Sequence, residues 1–210
     1  MTARICLIRH GETDWNVARR IQGHTDIPLN HTGQEQARLL AQSLADERFD
    51  AIYASDLSRA RQTAEAVAHR LHMSVRLDPH WRERHYGSFQ ALTYDEARER
   101  YPDAYARFEA RVPDADFPGG GESLHVFLER VRKALDRIAD AHPGGRVLVA
   151  THGGVLDMAH RVATDLPLEK RRDFPISNAT VNWLMREDGD WRILVWDERS
   201  HLDQALDELP

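Results

Sequence analysis

Short apolar runs alternate along this chain with longer stretches of helical periodicity. Residues 4–8, Arg-Ile-Cys-Leu-Ile, carry a brief apolar run followed by a glycine-bearing turn, the pattern of a buried strand. Thr32-Gly33-Gln34-Glu35 reads as a capping box, with Ala37, Leu39, Leu40 and Leu44 following at helical spacing. Ala51-Ile52-Tyr53-Ala54 predicts a second strand, residues 58–71 a helix, and residues 74–77 a third strand. Thr93-Tyr94-Asp95-Glu96 caps a further helical stretch that Pro102 interrupts. Residues 112–121 contain Pro113, Pro118 and three consecutive glycines, which predicts a loop able to serve as a hinge. A long helix over residues 122–141 carries Leu124, Phe127, Leu128, Val131, Leu135 and Ile138 on one face, and Pro143-Gly144-Gly145 ends it. A strand at 146–150 and a helix at 153–163 follow, then strands at about 180–185 and 191–196 flanking the hairpin signal Asp188-Gly189. The acidic tail from Asp197 to Pro210 is expected to fray.

Strands alternating with helices predict one α/β domain over residues 1–210, a three-layer α/β/α sandwich. Its sheet is expected to be mostly parallel, with the last hairpin adding an antiparallel edge. Residues 84–121 break the alternation. They read as a helical insertion over the strand ends, where α/β sheets bind ligands.

Composition narrows the function. The net charge of −6 excludes a generally basic nucleic-acid binder, and Arg171-Arg172 reads as ordinary solvated surface. No apolar run approaches the roughly 20 residues of a membrane span. The first apolar stretch is too short for a secretory signal, so the cytoplasm is the expected compartment. Cys6 is the only cysteine, which removes intrachain disulfides and cysteine-based zinc sites. Lys133 and Lys170 are the only lysines, so an anion site here is built from arginine.

The first strand runs straight into Arg9-His10-Gly11, and the strand at 146–150 into Thr151-His152-Gly153. One His-Gly pair alone would read as a turn histidine. Two at matched strand ends point to chemistry. Arg59 stands in the first turn of a helix, where it opposes the helix dipole; either it meets an anion or it is a surface arginine. Glu83, after the third strand and beside Trp81, is a candidate proton donor, or else a partner of Arg82 or Arg84.

At these residues the sequence resembles the histidine phosphatase superfamily, the phosphoglycerate-mutase-like proteins. Leu7 to Asn16 resembles the family signature, Gln22 to Leu29 the loop that follows, and Ser55 to Ala60 the second arginine motif. Glu83 to Gly87 resembles the acid motif and Thr151 to Gly154 the second histidine motif, so the resemblance spans residues 4–154. It implies that His10 is a nucleophile that becomes phosphohistidine, with a backbone carbonyl fixing its tautomer. It implies that Arg9, Arg59 and His152 surround the phosphoryl oxygens and that Glu83 acts as acid, then base. Asn16, Gln22, Gly23 and Gly153 would complete the pocket.

This chemistry needs no metal, and neither a His-Glu-x-x-His helix nor a P-loop is present. A cysteine phosphatase would need arginine six residues after Cys6, where Glu12 stands. A metal-independent phosphomonoesterase acting on a small phosphorylated metabolite is expected, with no nucleic-acid or membrane partner, as monomer or homodimer. The alternative is a phosphoglycerate mutase with 2,3-bisphosphoglycerate as cofactor. Residues 84–121 hold no lysine and no adjacent arginine pair of the kind such mutases carry, and Arg98, Arg100, Arg107 and Arg111 are spaced as a solvated helix face. A non-catalytic phosphate-binding module is disfavoured because the reactive set is complete. Tyr86, Phe89, Tyr94, Tyr101, Tyr105 and Phe108 either wall a leaving-group site or pack the insertion.

Overall fold

The structure is a computed structural model and describes residues 2–207. Six strands, β1 (Ala3–Arg9), β2 (Ala51–Ala54), β3 (Val75–Leu77), β4 (Arg146–Thr151), β5 (Val181–Glu187) and β6 (Asp190–Glu198), form one sheet in the order β3-β2-β4-β1-β5-β6. The first four run parallel; β5 is antiparallel to β1 and β6 to β5. The β5–β6 turn falls at Asp188-Gly189, both with positive φ (53° and 95°), as a tight hairpin requires.

Eight helices accompany the strands among the described residues: α1 (Asp14–Val17), α2 (His31–Ser43), α3 (Ser58–Leu71), α4 (Tyr94–Arg100), α5 (Pro102–Glu109), α6 (Leu124–Ala141), α7 (Gly153–Thr164) and α8 (Ser200–Asp207). Strand residues alternate between two cores. Ile5, Leu7, Val147 and Val149 pack with α6 and α7, whereas Cys6, Ile8, Leu148 and Ala150 pack with α2 and α3. Both faces of β1 and β4 are thus covered, which is why their sequences are apolar without interruption. The three-layer sandwich follows.

The insertion builds a third core from Phe89, Leu92, Ala97, Tyr105 and Phe117, joined by Ile21. Residues 112–121 do not stand free as a hinge would. Ser88 N–H donates to Pro118 O at 2.6 Å, Leu124 N–H to Pro113 O at 2.9 Å, and Phe117 is buried.

Two other expectations are corrected. Asn30, not Thr32, caps α2, its side chain accepting from Gly33 N–H at 2.8 Å. The reason is tertiary. A Cβ on Gly33 would lie 2.0 Å from Glu12 O, and one on Gly11 2.4 Å from Gly33 O, so the helix start is pressed backbone to backbone against the turn after β1. The start of the tail is built into the fold: Asp197 and Glu198 complete β6, and α8 follows, docked through buried His201, whose Nε2 bonds Ala179 O at 2.9 Å. The rest of the predicted fray, 208–210, lies outside the described residues.

Candidate active site

Strands β1 and β4 are neighbours in register, Arg9 opposite Thr151. The residues that follow them therefore emerge together, and the rings of His10 and His152 lie 5.2 Å apart. His10 Nδ1 is 2.7 Å from Gly11 O. A carbonyl only accepts, so Nδ1 carries the ring proton and Nε2 holds the free lone pair. Burial, with the charges of Arg59 and Arg9, depresses the His10 pKa well below its ordinary value. Nε2 thus stays unprotonated at neutral pH. Asn178 Nδ2 donates to the His10 carbonyl at 2.8 Å and fixes the backbone.

Arg59, in the first turn of α3, is fully buried. Its Nε donates to His152 Nδ1 at 3.2 Å, Nη1 to Thr25 O at 2.9 Å and Nη2 to Gly23 O at 2.8 Å. All these acceptors are neutral, and burial brings the Arg59 pKa down to about 10. Glu83 and Asp26 offset the charge only from a distance; a buried cation with no carboxylate in direct contact is costly, and a bound anion would offset that cost. The loop that holds Arg59 is itself tied down. Leu57 cannot cap α3, and Asp26 does so instead, accepting from Ser58 N–H at 2.7 Å and Ser58 Oγ at 2.8 Å.

Because Arg59 donates to Nδ1, His152 carries its proton on Nε2. That Nε2 and the Nε of Arg9 are buried without a hydrogen-bond partner among the described residues. Unpaired buried donors beside a cationic pocket fit a phosphoryl oxygen. Arg9 is held by Nη1 on Ile176 O at 2.6 Å.

Glu83 follows the short 3₁₀ turn Pro79–Trp81 after β3. Thr151 Oγ1 donates to Trp81 O at 2.8 Å and pins this loop to β4. Glu83 Oε1 accepts from Arg84 N–H at 2.7 Å and Oε2 from Gly154 N–H at 2.9 Å. A Cβ at residue 154 would come within 2.1 Å of Oε1, so only glycine there leaves room for the carboxylate.

Arg9, His10, Asn16, Gln22, Gly23, Arg59 and Glu83 line one cavity of about 110 Å³. Asn16 Oδ1 accepts from Thr13 N–H and Oγ1, both at 3.0 Å, which leaves its amide donor for the cavity. His152 is fully buried beside His10 and does not line the wall. Gly153 lines an adjoining cavity of about 280 Å³ that shares Arg9, Glu83, Tyr86 and Tyr94. Sequence reasoning missed Arg20 and Ile21 in the first cavity, and Arg111 and Arg172 in the second. Arg111 is no solvated helix residue: it follows α5 and its Nη2 binds Asp157 Oδ2 at 3.0 Å. Arg172 is exposed, yet it reaches the second cavity. The insertion aromatics divide. Phe89 and Tyr105 are buried in its core, while Tyr86, Tyr94 and Phe108 line the second cavity. Cys6 is buried, which pushes its thiol pKa up and leaves it unreactive. Among the described residues no three His, Cys, Asp or Glu side chains are grouped to hold a metal ion, and no helix is long and apolar enough to cross a membrane.

An α/β sandwich with two histidines and buried arginines at the carboxyl edge of its sheet defines a protein that handles a compact anion. The chain belongs to the histidine phosphatase superfamily (branch 1), whose family model matches residues 5–199. It is 43% identical to phosphoglycerate mutase-like protein 4 of Arabidopsis thaliana over 97% of this chain and 88% of that one. It is 41% identical to a metal-independent phosphoserine phosphatase of the same plant, over 96% and 84%. The solved structure of Bacillus stearothermophilus YhfR superposes with a TM-score of 0.89 at 34% identity, covering 95% of this chain and 99% of that one.

Proposed function

We propose that this protein is a metal-independent phosphomonoesterase acting through phosphohistidine on a small metabolite with a second anionic group. The observation that carries the reading is the pair of opposed Nδ1 partners: the Gly11 carbonyl, which leaves His10 a lone pair on Nε2, and the Arg59 guanidinium, which leaves His152 a proton on Nε2. His10 Nε2 attacks phosphorus as the ester P–O bond breaks. Arg9, Arg59, His152 and Asn16 stabilise charge on the equatorial oxygens, with Gln22, Gly23 and Gly153 shaping the pocket. Glu83 gives its proton to the departing oxygen. The Glu83 carboxylate then takes a proton from water, which attacks phosphorus, breaks the P–N bond and releases phosphate. The cationic charge that a metal would otherwise supply comes from arginine, and Glu83 is the lone carboxylate lining the phosphate cavity among the described residues.

The second cavity supports the substrate class. It holds Arg9, Arg84, Arg111 and Arg172 against two carboxylates, Glu83 and Asp157. Asp157 is itself held by Arg161 Nε at 3.1 Å as well as by Arg111. The remaining positive charge suits a leaving alcohol that carries a carboxylate, as the serine released from phosphoserine does.

The test compares phosphoserine and 3-phosphoglycerate with glycerol phosphate, with and without 2,3-bisphosphoglycerate, following phosphate and 2-phosphoglycerate together. Phosphate release without isomer, a higher kcat/KM for the carboxylate-bearing esters, and an unchanged rate in excess EDTA are expected. Rapid bisphosphate-dependent isomerisation would make the protein a mutase. Loss in EDTA restored by added zinc would overturn the metal-free mechanism.

A further inference from the structure

The loop that carries Glu83 is gripped from outside the pocket by one side chain of α6. Arg130 offers five N–H donors, and each has a partner. Nε donates to Glu122 Oε1 at 2.7 Å and Nη2 to Glu122 Oε2 at 2.8 Å. Nη1 donates to His80 O at 2.8 Å and Arg82 O at 2.9 Å, and Nη2 to Glu83 O at 3.1 Å. Glu122 closes the clasp from the other side of Glu83: its Oε2 accepts His85 N–H at 2.9 Å, and its own N–H donates to His85 O at 2.8 Å. Arg130 and Glu122 side chains are each only 17% exposed, and the guanidinium lies over the Phe127 ring, so solvent competes weakly for these bonds.

Arg130 spreads its remaining donors over three loop carbonyls, and the third of these also accepts from His24 Nε2 at 2.8 Å. Here the last carbonyl is that of Glu83 itself, and the bonds bracket that residue from 80 to 85. With its backbone fixed, Glu83 keeps only its own side-chain torsions, and those are held by the N–H groups of Arg84 and Gly154. Proton transfer tolerates little displacement between acid and leaving oxygen. We propose that Arg130, clasped by Glu122, is a positioning residue for the general acid Glu83. The inference rests on the acid role given to Glu83 above. Arg130 touches no reacting atom; it sets where the carboxyl stands when its proton passes to the alcohol oxygen.

The test uses kcat/KM, which reports the steps up to departure of the alcohol. p-Nitrophenyl phosphate loses its phenolate without a proton, whereas phosphoserine needs one. Arg130→Gln should lower kcat/KM for phosphoserine roughly 10- to 100-fold. For p-nitrophenyl phosphate the loss should stay below about 3-fold. The double variant with Glu83→Gln should be no slower on phosphoserine than Glu83→Gln alone, because the acid that Arg130 serves is already gone. Equal losses on both esters would make Arg130 a mere scaffold and overturn the proposal. If Glu83→Gln itself showed no leaving-group dependence, the acid role would fail and the proposal with it. If it did show dependence and Arg130→Gln did not, the positioning role alone would fail. Should Arg130→Gln not fold by thermal melt, Arg130→Lys takes its place. It keeps the charge but loses the fork, and it should show a smaller loss with the same selectivity for phosphoserine.

Discussion

Strands β1 and β4 lie side by side and each ends in His-Gly, yet the two histidines hold their protons on opposite nitrogens. His10 turns its Nδ1 back onto the carbonyl of Gly11, which can only accept. His152 begins α7 as its N-cap residue and presents Nδ1 to Arg59, which can only donate. The dipeptide and the strand geometry are shared; the partner is not. The tautomer, and with it the difference between a free lone pair and a free N–H at Nε2, is written in the neighbours. One residue from α3 thus separates the roles of two strand ends.

Removing each histidine is the strongest way to break this comparison. His10→Ala should lower kcat on the order of 10⁴-fold or more, with the thermal melt retained. Activity near wild type would remove His10 from the nucleophile role. His152→Ala should cost less, about 10²- to 10³-fold in kcat, as loss of a single transition-state donor does. A loss as large as that of His10→Ala would place His152 in bond making, and the asymmetry would collapse. The smallest effect is spectroscopic. At neutral pH, ¹⁵N-edited NMR should show His10 protonated on Nδ1 and His152 on Nε2. Burial and the Arg59 charge depress both pKa values, so both rings should stay neutral as pH falls through the ordinary histidine range. A ring gaining its second proton near the ordinary value would contradict the buried, arginine-flanked setting.

The chain's alternation of apolar runs and helical periods made the sandwich and its mixed sheet legible. Arg9, His10 and His152 also stood out, because reactive types at strand ends beside glycine are local signals, whereas Asn16, Gln22 and Gly23 came only with the family resemblance and Arg20 and Ile21 gave no signal. What stayed hidden depends on contacts between distant segments. Thr32-x-x-Glu35 matches a capping box as well as any sequence, but the helix starts at His31 because Gly33 must lie against Glu12. The tail looked like solvent-facing acid until His201 met Ala179 O, a partner 22 positions away. Arg130 and Glu122 carry no signal in the sequence, where the helix over residues 122–141 is read from its apolar face. Nothing in their spacing shows that both reach the loop at residues 80–85.

The sheet order also governs when the pocket can come into being. The two neighbours of β1 are β4 and β5, and β4 is in turn wedged between β1 and β2. A growing chain therefore holds Ile5, Cys6, Leu7 and Ile8 without strand partners until residues 146–151 have been made. All four are fully buried in the finished molecule. The structure is dominated by pairings distant in sequence, which fold slowly and leave apolar strands uncovered meanwhile. His10 is synthesised long before β4 and β5 and gains its surroundings only when they pair with β1, so a chain ending before β4 carries His10 without the setting that fixes its ring.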